Sequence, residues 1–138
     1  MTFWDASAIL PLLVQEPETE AMHARLSEDP AVAVWWGTPV ECASALARLE
    51  REGVPSGMIE EAFARLETLA ASWAEVEPHD EVREIARRLL RVHTLRAADA
   101  LQLAAATLLA GHRPPSLSIV VLDARLRTAA AKEGFRTA

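Results

Sequence analysis

Strand-like runs alternating with helical stretches predict an α/β protein whose central parallel sheet is covered by helices on both faces. Three observations carry this reading. Short β-rich runs recur between long stretches of helix-forming residues along the whole chain. The length of 138 residues, 51% of them hydrophobic, suits one domain (1–138) with a sizeable core. Two of the runs end directly on an acid, Asp5 and Asp123, as active-site rims of open parallel sheets do.

Residues 2–4 are apolar, precede Asp5 and read as the first strand. Residues 6–14 read as a short helix in which Pro11 is tolerable only near the first turn or at a kink. Residues 18–27 read as a helix ended by Asp29-Pro30. Residues 31–36 (A-V-A-V-W-W), between Pro30 and Gly37, read as the second strand. Trp35 and Trp36 are adjacent on it and point to opposite faces, and core packing is the expectation for Trp36. Thr38-Pro39-Val40-Glu41 reads as a helix start, with Thr38 as N-cap and Pro39 at the first helical position. This helix runs to about Glu52 and stops at Gly53.

Residues 56–72 give another helix and residues 73–76 a third strand. Residues 81–93 read as a helix. Residues 95–110 (L-R-A-A-D-A-L-Q-L-A-A-A-T-L-L-A) form the most apolar helix of the chain, closed by Gly111 as C-cap. Pro114-Pro115 make a loop. Residues 118–122 (S-I-V-V-L) are the clearest strand, 124–132 a helix stopped by Gly134, and 135–137 a short last strand.

Composition narrows the function classes. No apolar run is long enough to span a bilayer, and no signal peptide is read at the N-terminus, so the cytoplasm is the expected compartment. The one cysteine, Cys42, excludes an internal disulfide and a Cys-based zinc site, and reads as a small buried filler. His23, His79, His93 and His112 lack metal-ligand spacing and are expected at the surface. The net charge of −6 is unevenly spread: residues 1–80 hold 4 Lys/Arg against 15 Asp/Glu, and residues 81–138 hold 10 against 5. Such asymmetry fits a basic partner on one face and an anionic one on another, or ordinary solvated helix faces.

Asp99 is the one acid of the most apolar helix. If buried, it needs a basic neighbour, a shifted pKa or a cation. Arg96 and Gln102 lie within reach of it along the helix. Asp5 and Asp123 at strand ends, and Glu41 shortly after the second strand, fall on one rim, which Asp99 joins if its helix crosses there. Taken singly, Asp5 and Asp123 also suit helix N-caps, and Glu41 suits a first helical turn. Together, clustered carboxylates repel one another, and a hard divalent cation such as Mg²⁺ or Mn²⁺ reverses that cost. Arg83, Arg87, Arg88 and Arg91 share much of one helical face. They are open to RNA phosphates or to pairing with Glu81 and Glu84.

Four blocks then carry a resemblance: F-W-D-A-S-A, V-E-C-A-S-A-L, L-R-A-A-D-A-L-Q-L-A-A-A and V-V-L-D-A-R-L. In order and spacing they resemble the signature blocks of PIN-domain proteins, above all the VapC-type ribonuclease toxins of bacterial toxin–antitoxin pairs. The resemblance implies a three-layer α/β/α sandwich with strand order 3-2-1-4-5, and a Mg²⁺- or Mn²⁺-dependent endoribonuclease. It implies Asp5, Glu41 and Asp99 as the main metal ligands, Asp123 as the fourth acid, and Ser7 as an assisting hydroxyl. Where the family often has Ser or Thr two residues before the fourth acid, this chain has Val121. An RNA substrate, a cognate antitoxin protein and a homodimer are the implied partners. A non-catalytic PIN-like module binding RNA or protein is the alternative, and an aspartate-type phosphatase ranks below it because Ser7 stands where a second acid is expected.

Overall fold

A computed structural model describes residues 1–138. Five strands form one parallel sheet: β1 (Thr2–Trp4), β2 (Val32–Trp35), β3 (Ala74–Val76), β4 (Ser118–Val120) and β5 (Arg136–Thr137). Their order across the sheet is β3-β2-β1-β4-β5, and every pairing is parallel. Seven helices cover it: α1 (Ala6–Leu13), α2 (Thr19–Glu28), α3 (Thr38–Arg51), α4 (Ser56–Ala70), α5 (Asp80–Val92), α6 (Ala97–Leu109) and α7 (Ala124–Lys132). The three-layer α/β/α sandwich with order 3-2-1-4-5 is therefore the observed fold.

The alternation of side chains along each strand builds the two helical layers. Phe3, Ala33, Trp35, Ile119 and Val121 face one way and pack with the apolar residues of α5, α6 and α7. Trp4, Val32, Val34 and Val120 face the other way and pack with α1 to α4. The strands are short, so both faces of the sheet are needed to bury enough apolar surface to hold them. Amphipathic α5 supplies Val82, Ile85, Ala86 and Leu89 to the core and turns its arginines outward.

Several local expectations need correction. Thr38 is not an N-cap: Gly37 takes that position and Thr38 opens the helix, fully buried. Gly37 is required there, because a Cβ would meet Trp35 Nε1 at 2.6 Å. Pro11 lies past the first turn of α1, where its missing N–H leaves a helical bond unmade, and the helix stops at Leu13. Trp36 is 52% exposed rather than core-packed, because β2 ends at Trp35 and releases the next residue onto the rim. The side chain of His93 is only 7% exposed, drawn in by Glu133. Arg83 pairs with Asp80 and Arg88 with Glu133, so neither uses Glu81 or Glu84.

Gly111 is not itself the C-cap of α6: the helix ends at Leu109, Ala110 caps it and Gly111 follows. With φ of +60° it turns the chain so that the His112 amide donates to the Thr107 carbonyl at 3.0 Å.

Candidate functional site

The order of the sheet reverses direction between β1 and β4, so the C-terminal ends of these strands mark its topological switch point. Asp5 follows β1 directly and is 4% exposed. Its amide continues the sheet by donating to the Val120 carbonyl at 3.0 Å. Its side chain caps α1, accepting from the Ser7 amide at 2.9 Å. Asp123 is the N-cap of α7 and accepts from the Leu126 amide at 2.9 Å. Both acids are thus helix caps, and capping fixes where each carboxylate stands.

Glu41 and Asp99 occupy equivalent positions, in the first turns of α3 and α6. All four acids therefore stand at helix N-termini, where the exposed N–H ends of the helices favour negative charge. Asp99 is not a mid-helix acid. The helix begins at Ala97, so the apolar run places it at the lip of the core, half-buried, with the buried residues beginning at Ala100.

The acids feel one another. Burial pushes the Glu41 carboxyl up to about 7, and the nearby charges of Asp5 and Asp99 push in the same direction against a hydrogen bond from Gln102. Asp5 is raised, by burial first and by Asp99 to a lesser degree, against its hydrogen bonds with Ser7. Asp99 is raised by burial and then by Asp123, with the Arg96 amide and the charges of Arg96 and Arg125 opposing. Asp99 forms no ion pair with Arg96, and Gln102 does not turn to it.

As they stand, no three or more of the His, Cys, Asp and Glu side chains are drawn close enough to hold a metal ion together. The donor set is still all oxygen, with no thiolate or imidazole among it, which suits a hard divalent cation. Cys42 lies behind Glu41, 1% exposed, and its thiol is pushed up to about 12 by burial and by the Glu41 and Asp5 charges, so it offers no thiolate.

Three polar residues hold the rim in place. Ser7 Oγ accepts from the amides of Leu122 at 2.9 Å and Asp123 at 3.2 Å, tying the start of α1 to the turn after β4. Val121, where the resembling proteins often carry a hydroxyl, is wholly buried in the core, so the polar support of this turn comes from Ser7. Gln102, 1% exposed, donates from Nε2 to Thr38 Oγ1 at 3.0 Å and to Glu41 Oε2 at 3.1 Å. Its Oε1 is buried without a protein partner. The link from Gln102 to Glu41 escapes a sequence reading. Its signal was a lone amide among Ala and Leu, which when buried must find partners on another element.

A parallel sheet with acids at the helix N-termini along its rim defines a class of carboxylate-rim α/β proteins. Comparison with known families makes this specific: residues 2–132 match the PIN domain model, and the chain belongs to the PIN-domain family. Two curated relatives from Mycobacterium tuberculosis are each 30% identical over 139 residues. These are ribonuclease VapC45 of strain CDC 1551 / Oshkosh and ribonuclease VapC49 of strain ATCC 25618 / H37Rv. The alignments cover 100% of this chain and 94% of each relative. Among solved structures, FitAcB from Neisseria gonorrhoeae superposes with a TM-score of 0.68 at 20% identity, covering 99% of this chain and 96% of that one. PAE2754 from Pyrobaculum aerophilum gives 0.66 at 22%, covering 99% and 82%. A toxin–antitoxin complex from Klebsiella pneumoniae gives 0.63 at 17%, covering 89% and 87%. These structures share the fold.

Proposed function

We propose that the chain, acting over 1–138 as one unit, is a divalent-metal-dependent endoribonuclease and the toxin of a VapBC-type toxin–antitoxin pair. The observation that carries this is the placement of Asp5, Glu41, Asp99 and Asp123 at four helix N-termini, within reach of one another's charge, on a PIN fold whose full-length relatives are named ribonucleases.

Asp5, Glu41 and Asp99 would hold the ion, Mg²⁺ or Mn²⁺, with Asp123 completing the set. Such an ion supplies Lewis-acid charge at a phosphate and a water made acidic enough to attack it. The chain's own part is to fix the oxygens. Asp5 is held by its cap, Glu41 by Gln102, and the backbone carrying Asp123 by Ser7. Asp99 and Asp123 are the less buried acids, and chelation asks them to turn inward from the rim.

The direct test mixes the purified protein with RNA and Mn²⁺ or Mg²⁺. Cleavage by the wild type and its loss in Asp99→Asn are expected. No cleavage by the wild type, or equal cleavage by the variant, defeats the reading. The open spacing of the carboxylates favours one alternative, a non-catalytic PIN-like module that binds RNA or protein. Calorimetric titration with Mn²⁺ separates the two, because only the nuclease requires metal affinity that depends on these carboxylates.

The proposed protein partner is a VapB-type antitoxin. Support comes from the names of the relatives and from the acidic balance of residues 1–80, which suits a basic segment. Toxicity on expression, relieved by co-expressing the neighbouring reading frame, tests it. The proposed assembly is a homodimer, with exposed Trp36 and Val40 as apolar contact surface, and light scattering reads its mass. No helix is long and apolar enough to cross a membrane, and the cytoplasm is the proposed compartment.

A further inference from the structure

Helix α7 begins at the acidic rim, with Asp123 as its N-cap, and runs away from it. Arg125, Thr128 and Lys132 follow at spacings of three and four residues, which place them along one side of the helix. Across from them the end of α5 presents Val92, His93 and Thr94. The groove between these walls has a volume of about 360 Å³. A second, more open depression lined by Arg87, Arg88 and Arg91, with Glu84 the one acid among them, shares Val92 with the first and continues it along α5. A cationic path therefore leads from the acid rim to the outer face of α5.

The walls are fixed. Glu133, just past α7, takes Arg88 Nη2 at 2.8 Å on one oxygen and His93 Nε2 at 2.7 Å on the other. This bridge absorbs the charge of Arg88 and locks α5 against the end of α7. Arg87, Arg91, Arg125 and Lys132 form no ion pair, so their charge is free for an anion. Arg125 marks the junction of path and rim, since its charge reaches Asp99.

We propose that this path holds the phosphate backbone of a single RNA strand beside the scissile bond, with Arg125 and Lys132 in the groove and Arg91 in the adjoining depression as the phosphate contacts, and the Glu133 bridge fixing the walls. The proposal rests on the ribonuclease reading and adds to it the route of the substrate. The rim itself repels RNA, so a nuclease built on it must gain its hold on substrate elsewhere. The free cations are strung out along the path, and the apolar residue between them, Val92, is 61% exposed rather than set in a buried pocket. That spacing fits the repeating charge of a nucleic-acid backbone and lacks the buried hot spot of a protein contact. The groove is too small for a double helix and suits one strand.

The test measures binding of a short, unstructured, fluorescein-labelled oligoribonucleotide to metal-free Asp99→Asn protein across a salt series. Adding Arg91→Ala and Lys132→Ala should weaken binding about tenfold or more at low salt. It should also lower the slope of log K against log salt by about 0.7 for each phosphate that is no longer neutralised. Lys132→Glu should weaken binding further than Lys132→Ala. Arg48→Ala, on the opposite layer and paired with Glu52, should leave both readings unchanged. Mn²⁺ affinity of the Arg91→Ala/Lys132→Ala protein with Asp99 restored should equal that of wild type. An unchanged salt slope overturns the groove, as does tighter binding of a glutamate-rich peptide than of the oligonucleotide. Wild-type cleavage of RNA with an unmoved slope defeats the groove alone, and a lowered slope without any cleavage defeats the nuclease reading alone.

Discussion

Gln102 Nε2 donates to Glu41 Oε2 at 3.1 Å from inside the core, joining the helix that carries Asp99 to the helix that carries Glu41. The same amide donates to the buried Thr38 hydroxyl at 3.0 Å, so one side chain sets the approach of α6 to the start of α3. Gln102→Leu keeps the volume and removes the donor, leaving Thr38 and Glu41 short of a partner. The expected cost is about 1–3 kcal/mol of stability, read by urea unfolding, together with weaker Mn²⁺ binding by calorimetry. Gln102→Glu puts a further buried carboxylate beside Glu41 and should cost more. Wild-type stability and metal affinity in Gln102→Leu would show the link to be idle.

Asp5 serves the helix and the rim at once, and two substitutions separate these roles. Asp5→Asn keeps an oxygen to accept from the Ser7 amide and should stay within about 0.5 kcal/mol of wild type. Asp5→Ala loses the cap and should cost about 1 kcal/mol. Both remove the charge, so both should weaken Mn²⁺ binding and cleavage alike. Equal stability of the two variants would remove the capping role.

Ser7 Oγ receives the amides of Leu122 and Asp123 at the turn that positions the fourth acid. Ser7→Ala leaves these donors without their acceptor and should cost about 1–3 kcal/mol, measured by chemical denaturation. Cleavage should fall through kcat more than through KM, because the substrate groove is untouched while Asp123 loosens. Full activity in Ser7→Ala would limit the hydroxyl to the fold.

Without metal, the rim should make stability depend on pH in a defined sense. Burial raises the Glu41 carboxyl to about 7, above its ordinary value of 4.5, and Asp5 and Asp99 move the same way. The folded state then binds more protons than the unfolded one between about 4.5 and 7. The stability from Glu41 is fully present below its unfolded value and is lost as pH rises through about 7, and Asp5 and Asp99 contribute with the same sign. Tm of the metal-free protein should therefore fall from pH 5 to pH 8. Solvent screening holds the loss from half-exposed Glu41 to about 1 kcal/mol, or roughly 4 °C. Mn²⁺ should restore Tm at pH 8 and do little at pH 5, where protons compete for the same oxygens. A flat or rising Tm in the metal-free protein contradicts the crowding of the acids.

Asp99 lies at the first turn of α6, outside the packed stretch that begins at Ala100. Asp99→Asn should leave Tm within about 2 °C of wild type while Mn²⁺ binding weakens. Unfolding of the variant would return Asp99 to a structural role.

The alternation of β-rich and helical runs determined the parallel sheet and its two covering layers, because a chain of this pattern buries both faces of short strands in no other way. It also determined the place of Asp5, since a residue just after a parallel strand faces the rim whatever its neighbours are. For Asp123 the sequence predicts a position directly after a strand over 118–122, but β4 ends at Val120 and it is the N-cap of α7 that places this acid. What only the tertiary structure decided lay between elements. The hydroxyl of Thr38 caps nothing because Gln102, 64 residues on, draws it inward. Trp36 is exposed because β2 stops one residue short of it. His93 is buried because Glu133 reaches it from the far end of α7. Asp99 stands at the lip of the core because its helix starts at Ala97. Spacing along one chain fixes which residues share a helix face or a strand end. A hydrogen bond between distant elements depends on how those elements pack, and no local pattern carries that.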